Sequence, residues 1–299
     1  MIKRIGVIGV ASGLGALDQG CEHGPAAVQR APGWATLARQ PLIAREEALT
    51  APDAAGLTTV ERIAGLCRHL ARRIDSVLAG DMLPLVIGGD HSLAIGTWSG
   101  VARYAGAPVG LLWIDAHLDS HTPQTSPSGA IHGMPLACLL GSGDPRLLDL
   151  GIRGAQLDPA HTVVLGARSW EPEEADFLAA QGVRVIDAAA IAQRGLEACF
   201  AEALAIVAGA AHGFGVTLDL DACDPSVAPG VGTPVPGGLC AGALRDAWRQ
   251  LKDCAGLRAI EIVEYNPLRE RQGMTAQLIC DLIGDLLSPE SRADAQPGH

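Results

Sequence analysis

Six acidic and histidine side chains follow three apolar segments of the sequence, and their types and spacing are suited to chemistry. They are His91, Asp115, His117, Asp119, Asp219 and Asp221. The side chains that follow 111–114 and 216–218 are two residues apart, and such residues on an extended chain point to the same face. One such cluster alone is typical of a solvated turn or cap. Three clusters at the ends of apolar runs indicate a common polar site.

Four aspartates in one crevice are costly to bury unless cations neutralise them. Four carboxylates and two imidazoles exceed the ligands of one tetrahedral zinc ion, and they fit two ions that share bridging carboxylates. The oxygen-rich set favours Mn²⁺, with Co²⁺ or Ni²⁺ as alternatives. Two ions about 3.5–4 Å apart can activate a water molecule for attack on a substrate carbon. The six residues therefore predict a binuclear metal-dependent hydrolase.

Short apolar runs alternate with helical patterns along the chain. Strands are predicted at 4–10, 83–87, 109–114, 162–165, 183–186, 215–220 and 257–263. Helices are predicted at 25–39, 57–78, 93–104, 171–181, 196–208, 239–251 and 274–287. Nearly continuous apolar strands are covered on both faces, so we predict an α/β fold, a three-layer α/β/α sandwich on a mostly parallel sheet. Ligands of such sheets bind at the carboxyl ends of the strands, where the six residues are expected. The last strand contains Arg258 and Glu261, and we expect it nearer an edge.

The composition limits the domain organisation and the partners. The chain has 299 residues, and we expect one domain over 1–287 with a disordered tail at 288–299. Its net charge is −11 and it has no basic run, which argues against nucleic-acid binding. No segment approaches the roughly 18 apolar residues of a membrane helix. The eight cysteines form no CxxC pair, which favours free, mostly buried thiols and a cytoplasmic protein.

Three motifs resemble those of the arginase/agmatinase (ureohydrolase) family, and of its arginases most closely. They are Gly88-Gly89-Asp90-His91-Ser92, Asp115-Ala116-His117-Leu118-Asp119 and Leu218-Asp219-Leu220-Asp221. The motifs occur in the family's order, and the resemblance extends over nearly the whole chain, from Glu22 to Pro267. It implies an arginase-like fold, two manganese ions, a guanidino substrate and a homo-oligomer, commonly a trimer or hexamer.

The resemblance also implies roles for the six residues. One ion would be held by His91, Asp115, Asp119 and Asp219. The other would be held by Asp115, His117, Asp219 and Asp221, so that Asp115 and Asp219 bridge the two. In the family, a hydroxide between the ions attacks the guanidinium carbon, and Asp119 belongs to the catalytic set. His132 corresponds to a histidine that passes a proton to the leaving amine.

Other positions of the resemblance concern the substrate. Glu264 occupies the position of the carboxylate that pairs with the guanidinium, although a structural salt bridge is the alternative. Thr233 matches a residue near the same site, and the alternative is that it only shapes a turn. The predicted substrate contacts further from the metals are His121, Ser126, Ser128 and Glu171.

The substrate-recognition residues depart from those of arginases. Ala130 replaces an Asn that bonds the α-carboxylate, His121 replaces another Asn, and Glu171 stands where an Asp would receive the α-amino group. L-Arginine remains the leading substrate; agmatine, a guanidino acid or guanidine are alternatives, and a formimino compound is less favoured. From other classes, a non-catalytic metal-binding homologue and a deacetylase-like amidohydrolase remain, although six ligands do not suggest the single essential metal of the latter.

Overall fold

Eight parallel strands form one twisted sheet in the computed structural model, which describes residues 4–52 and 55–287, without the side chains of 45–47. The strands are β1 (Ile5–Ala11), β2 (Ile43–Thr50), β3 (Leu83–Ile87), β4 (Val109–Ile114), β5 (Leu157–Leu165), β6 (Arg184–Ile186), β7 (Phe214–Asp219) and β8 (Leu257–Val263). Their order across the sheet is β2-β1-β3-β8-β7-β4-β5-β6, and each neighbouring pair is parallel. The predicted parallel sheet is therefore confirmed.

Ten α-helices accompany the strands within the described residues. They are α1 (Gly24–Arg30), α2 (Pro32–Leu37), α3 (Thr59–Ala79), α4 (Ala94–Ala105), α5 (Pro135–Leu139), α6 (Pro172–Gln181), α7 (Ala188–Arg194), α8 (Leu196–Val207), α9 (Ala241–Trp248) and α10 (Met274–Leu287). Helices α3, α4 and α5 pack on one face of the sheet, and α2, α8, α9 and α10 pack on the other. The sheet thus lies between two helical layers, as the continuous apolar strands predict.

The four central strands position the polar clusters. Strands β3, β8, β7 and β4 are neighbours, and β3, β7 and β4 are buried along their whole length. Because all four run in the same direction, their carboxyl ends meet at one edge of the sheet. The segments that follow them therefore lie side by side, although they are far apart in the sequence.

The prediction that the last strand lies nearer an edge is wrong. Strand β8 pairs with both β3 and β7 in the middle of the sheet. Its Glu261 is fully buried and accepts hydrogen bonds from the hydroxyls of Thr97 and Thr217. Arg258, near the start of the strand, donates to the carbonyl oxygen of His212. Partners on other elements thus accommodate the two charges of a central strand.

The predicted elements differ from the structure elsewhere too: α5 and α7 are not among the predicted helices, and β5 begins before the predicted strand 162–165. Two other differences have a clear physical reason. Edge strand β2 was not predicted, because the charged residues of Ile43–Thr50 interrupt the apolar pattern; charges are common on edge strands. The predicted helix 25–39 is two helices, since the residue before Pro32 is driven out of the helical region, and Ala31 is extended with ψ 142°.

Several other expectations concern the whole chain. All eight cysteines are free, six of them buried. The apolar segment near the N-terminus forms β1, as predicted. Among the described residues, each helix is too short or too polar to cross a membrane. The predicted tail at 288–299 lies outside the described residues.

Candidate metal centre and substrate pocket

Short turns after three central strands present the polar clusters. After β4, Asp115 Oδ1 accepts the backbone N–H of His117 at 2.7 Å. At the end of β7, Asp219 Oδ1 accepts the N–H of Asp221 at 2.8 Å. Both aspartates use one oxygen to close a turn onto the residue two positions later, a common Asx geometry. This local bond fixes the alternating side chains where the strands end.

His91 lies among three carboxylates in the buried part of the site. Its Nδ1 is 3.2 Å from Asp115 Oδ2, 3.0 Å from Asp119 Oδ2 and 3.2 Å from Asp219 Oδ2. This nitrogen has no hydrogen-bond partner among the described residues. A buried polar atom without such a partner is unusual in a folded protein. One imidazole nitrogen that faces three carboxylate oxygens fits a divalent cation between them.

His117 forms a second group with two carboxylates. Its Nδ1 is 3.4 Å from Asp115 Oδ1 and 3.1 Å from Asp221 Oδ2. Asp115 therefore directs one oxygen to the His91 group and the other to the His117 group. The ligand atoms of His91, Asp115 and Asp219 lie within 4.8 Å of one another, and so do those of Asp115, His117 and Asp221. The donor set fits two cations that share a carboxylate.

The ionisation of the cluster supports the same interpretation. Burial and the charge of Asp115 raise the pKa of Asp119 to about 6. Burial and the neighbouring carboxylates raise the pKa of Asp219 well above its usual value. Burial alone would lower the pKa of His117, but Asp221 and Asp115 raise it to about 12. Without metal, the cluster retains protons to offset its negative charge, and cations could replace them.

Glu264 follows β8 and has donors on both carboxylate oxygens. Its Oε1 accepts the backbone N–H of His91 at 2.8 Å and lies 3.0 Å from His132 Nδ1. Its Oε2 accepts the thiol of the fully buried Cys21 at 3.2 Å. Burial would lower the pKa of His132, but the contact with Glu264 raises it to about 9. The two groups therefore form an ion pair at neutral pH.

Two carboxylates of the site have left-handed backbone conformations. The φ angle is 47° at Asp119 and 65° at Glu264. Such angles are uncommon for residues other than glycine and cost free energy, and they concentrate at functional sites. The local chain direction that brings each side chain into the site thus has an energetic cost.

A cavity of about 110 Å³ opens beside the two His–Asp groups. Its walls are formed by His117, Asp119, His121, His132, Gly133, Glu171, Glu174, Asp219 and Thr233. Thr233 donates its hydroxyl to Asp221 Oδ2 at 2.9 Å, so it contacts the cluster directly. The cavity has an acidic face towards the cluster and a second acidic face at Glu171 and Glu174. It is suited to a small molecule with a cationic group at each end.

The structure pairs His121 with two glutamates. Its Nε2 is 3.1 Å from Glu171 Oε2 and 3.5 Å from Glu174 Oε2, and its Nδ1 is 3.1 Å from Thr125 Oγ1. Glu174 was not predicted as a site residue. The sequence feature that could have identified Glu174 is the spacing of a capping box, in which Glu171 is the N-cap of α6 and Glu174 is the third helical residue. Burial raises the pKa of Glu174 to about 8.

Ser126 and Ser128 lie in the exposed loop after His121 and do not line this cavity. The hydroxyl of Ser126 accepts the N–H of Gly129 at 3.0 Å, and that of Ser128 accepts the N–H of Ala130 at 3.2 Å. Both hydroxyls are thus used within the loop. Ser128 and Ala130 instead line a neighbouring cavity of about 360 Å³. Their contact with a substrate stays a prediction.

Comparison with known proteins identifies the family. Residues 3–288 match the model of the arginase family. The chain is 36% identical to the arginase of Bacillus caldovelox over 294 residues, which cover 95% of this chain and 98% of that one. It is also 36% identical to the arginase of Bacillus subtilis strain 168 over 296 residues, which cover 96% of this chain and 98% of that one.

A solved structure gives the same result. The crystal structure of arginase from Bacillus subtilis superimposes with a TM-score of 0.88 at 34% identity, covering 97% of this chain and 100% of that chain. The similarity therefore includes the order of strands that brings the His–Asp groups together. The family is one of metal-dependent hydrolases, and the donor set described above fits divalent cations. The chain belongs to the arginase family.

Proposed function

We propose that this protein hydrolyses L-arginine to L-ornithine and urea with two Mn²⁺ ions. The observation that carries the proposal is Asp115, whose two oxygens face two separate His–Asp groups beside one small cavity. Relatives of this size and similarity are named arginases. When bound, the two ions lower the pKa of water and so supply the nucleophile.

The residues of the cluster and those around it have separate proposed roles. One ion would be held by His91, Asp115, Asp119 and Asp219, and the other by Asp115, His117, Asp219 and Asp221. Glu264 pairs with the guanidinium, a role that rests on the family resemblance; its Oε1 accepts the backbone N–H of the candidate ligand His91. His132 is protonated at neutral pH and donates its proton to the leaving amine. Glu264 holds the His132 ring in place for that transfer.

The far end of the cavity recognises the amino-acid part of the substrate. Glu171 and Glu174 are its acidic groups away from the cluster, and Glu171, whose pKa is lowered by the contact with His121, suits the α-ammonium group. His121 already contacts both carboxylates, so it contributes to substrate selectivity. A cytoplasmic location, a homo-oligomer and one domain over 1–287 complete the proposal; they rest on the family resemblance and the free cysteines.

The test is urea release by the Mn²⁺-loaded protein from L-arginine, agmatine, guanidinobutyrate, guanidinopropionate and guanidine. We expect L-arginine to be cleaved with the highest kcat/KM, because it alone of the five carries both an ammonium for the glutamates and a carboxylate. Another guanidino compound as the best substrate would contradict the arginine assignment and leave the metal chemistry intact. No urea from any of them would contradict the ureohydrolase assignment.

A matched pair of variants ties any activity to the cluster. Asp221→Asn keeps the side-chain shape and removes one charge beside His117, so turnover should fall more than a hundredfold. Asp246→Asn changes an exposed aspartate that pairs with Arg249 on the surface, and it should leave turnover unchanged. Equal activity of the two variants would remove Asp221 from the site.

A further inference from the structure

A buried carboxylate in the centre of the sheet takes no part in the chemistry proposed above. Glu261 of β8 is fully buried and lies directly across from Thr217 of β7 in the sheet register. A buried carboxylate is costly unless hydrogen bonds compensate for its lost hydration. Apolar side chains would fill the centre of a parallel sheet at lower cost, so its contacts are informative.

Both oxygens of Glu261 accept hydroxyl hydrogen bonds. Thr217 Oγ1 donates to Oε2 at 2.8 Å, and Thr97 Oγ1 donates to Oε1. Burial raises the pKa of Glu261, and His91 and the two hydroxyls offset part of that rise. The oxygen of Thr217 also lies 3.0 Å from His91 Nε2. A continuous chain of hydrogen bonds therefore links Glu261 to His91.

The direction of the protons in this chain follows from the donors available. When Glu261 is ionised it only accepts, so the single hydroxyl proton of Thr217 points to Glu261. The Thr217 oxygen can then only accept from His91, which requires the proton of the imidazole to be on Nε2. In the neutral ring that binds a metal ion, the lone pair is then on the other nitrogen, Nδ1. It is this nitrogen that faces Asp115, Asp119 and Asp219.

The position of the ring is fixed as well as its tautomer. His91 stacks on Trp113, with ring centroids 4.1 Å apart and an angle of 19° between the planes. The indole of Trp113 in turn donates to Asp115 Oδ2 at 2.8 Å. The imidazole is fully buried, so water does not compete for its nitrogens. Stacking sets the plane of the ring, and the bond to Thr217 sets its rotation within that plane.

We propose that Thr217 and Glu261 are positioning residues that hold His91 in the Nε2–H tautomer, with Nδ1 free to bind a divalent cation. The proposal rests on the metal centre of the proposed function but not on the identity of the substrate. It also explains why β8 contains a buried carboxylate. Glu261 sets the direction of the hydrogen bonds that run through Thr217 to His91, a candidate metal ligand. Partners of this kind typically change metal affinity 10–100-fold.

The direct test measures Mn²⁺ affinity by calorimetric titration of the metal-free protein, without substrate. Thr217→Val keeps the shape of the side chain and removes the hydroxyl, so affinity at one of the two sites should fall about 10–100-fold. Thr217→Ser retains the hydroxyl and should restore most of the affinity. Thr162→Val removes another buried strand hydroxyl, which bonds only to a backbone carbonyl, and controls for lost stability.

A double variant tests whether Glu261 acts through Thr217. Glu261→Gln alone should lower the affinity, because an amide can donate to Thr217 and reverse the proton order. Added to Thr217→Val, it should cause no further loss beyond about twofold. A further tenfold loss would show that Glu261 acts through its charge alone and would overturn the relay.

Unchanged affinity in Thr217→Val would overturn the proposal outright, as would a loss equal to that in Thr162→Val. These outcomes are distinct from failure of the proposed function. If the wild-type protein binds two ions but releases no urea from arginine, the substrate assignment fails and the relay is still tested. If the wild-type protein binds no metal, both fail together.

Discussion

Glu264 contacts donors from three separate segments: the thiol of Cys21, the backbone N–H of His91 and the ring of His132. The His132 contact determines the charge of that ring. Burial disfavours the imidazolium ion, and the carboxylate outweighs burial. The protonation state of His132, the proposed proton donor, therefore depends on Glu264, which is also proposed to contact the substrate. A substitution of Glu264 should alter both the pKa of His132 and the binding of substrate.

We predict that His132 titrates near pH 9 in the metal-free protein, since its pKa is raised to about 9. In Glu264→Gln the main carboxylate is gone while burial remains, so the pKa should fall well below 9, with only Asp119 and Asp90 still raising it. NMR of the ring protons, assigned by comparison with His132→Gln, measures both values. Glu173→Gln, an exposed change on α6, is the control. An unchanged His132 pKa in Glu264→Gln would contradict the assigned cause.

Residue spacing predicted the His–Asp cluster because each part of it is local. Asp115 and Asp219 each begin a motif read directly from the sequence, and both motifs follow buried strands. Glu174 and Glu261 were missed as site residues, since their partners lie on other elements. His121 was interpreted as a substrate contact, and only the fold reveals that its ring already meets two glutamates. Spacing along the chain does not encode such distant pairs.

At the scale of elements, the turn after β3 depends on close backbone contact. Gly89 packs against Ser12, so an added Cβ would lie 1.7 Å from the Ser12 carbonyl oxygen. The Gly89 carbonyl accepts the N–H of Glu264, and Asp90 donates its N–H to Ser12. This turn carries His91 into the site. The loops after β1, β3 and β8 are therefore joined through it.

We expect Gly89→Ala to shift this turn, lowering stability by about 1–3 kcal/mol and weakening Mn²⁺ binding. The matched control is Gly242→Ala in α9, where an added Cβ meets nothing within 4 Å. That change should stabilise the helix by about 0.5–1 kcal/mol and leave metal binding unchanged. Denaturant unfolding and metal titration measure both effects. Wild-type values for Gly89→Ala would show that the contact with Ser12 is easily relieved.

The pattern of apolar residues predicted most strands and helices. It failed where the residues of an element do not match the position of that element in the fold. The apolar runs of β1, β3, β4 and β7 stand out because both faces of these strands are covered. Arg258 and Glu261 indicate an edge position for β8, but the hydroxyls that compensate for Glu261 come from α4 and β7. Pairing order depends on contacts between distant segments, so the position of β8 in the sheet was not readable from its own residues.

At the scale of the molecule, the site is a concentration of charge in a protein of net charge −11. Its groups have pKa values shifted mainly upwards: Asp119 to about 6 and His117 to about 12. A group with a raised pKa in the folded state contributes stability that is lost as pH rises. The metal-free protein should therefore lose stability between about pH 4 and pH 6, as Asp119 gives up its proton.

We predict that Mn²⁺ raises the thermal midpoint and does so more at about pH 7.5 than at about pH 5.5, because protons compete for the same oxygens at low pH. An ion at 100 times its dissociation constant contributes about 2.7 kcal/mol. Calorimetric scans with Mn²⁺ and with chelator at both pH values measure the difference. A shift of equal size at both pH values would contradict proton competition.

The left-handed backbone conformations of Asp119 and Glu264 lower the stability of the folded protein, but they place two carboxylates that the proposed catalysis requires. Each costs of order 1 kcal/mol that a glycine would recover, yet glycine would remove a carboxylate from the site. Random mutation screened only for heat resistance would therefore favour loss of these two side chains. The positions where the chain is easiest to stabilise coincide with those that selection for activity must hold fixed. Thermostable variants of this protein should be sought elsewhere in the chain, with both positions excluded from the library.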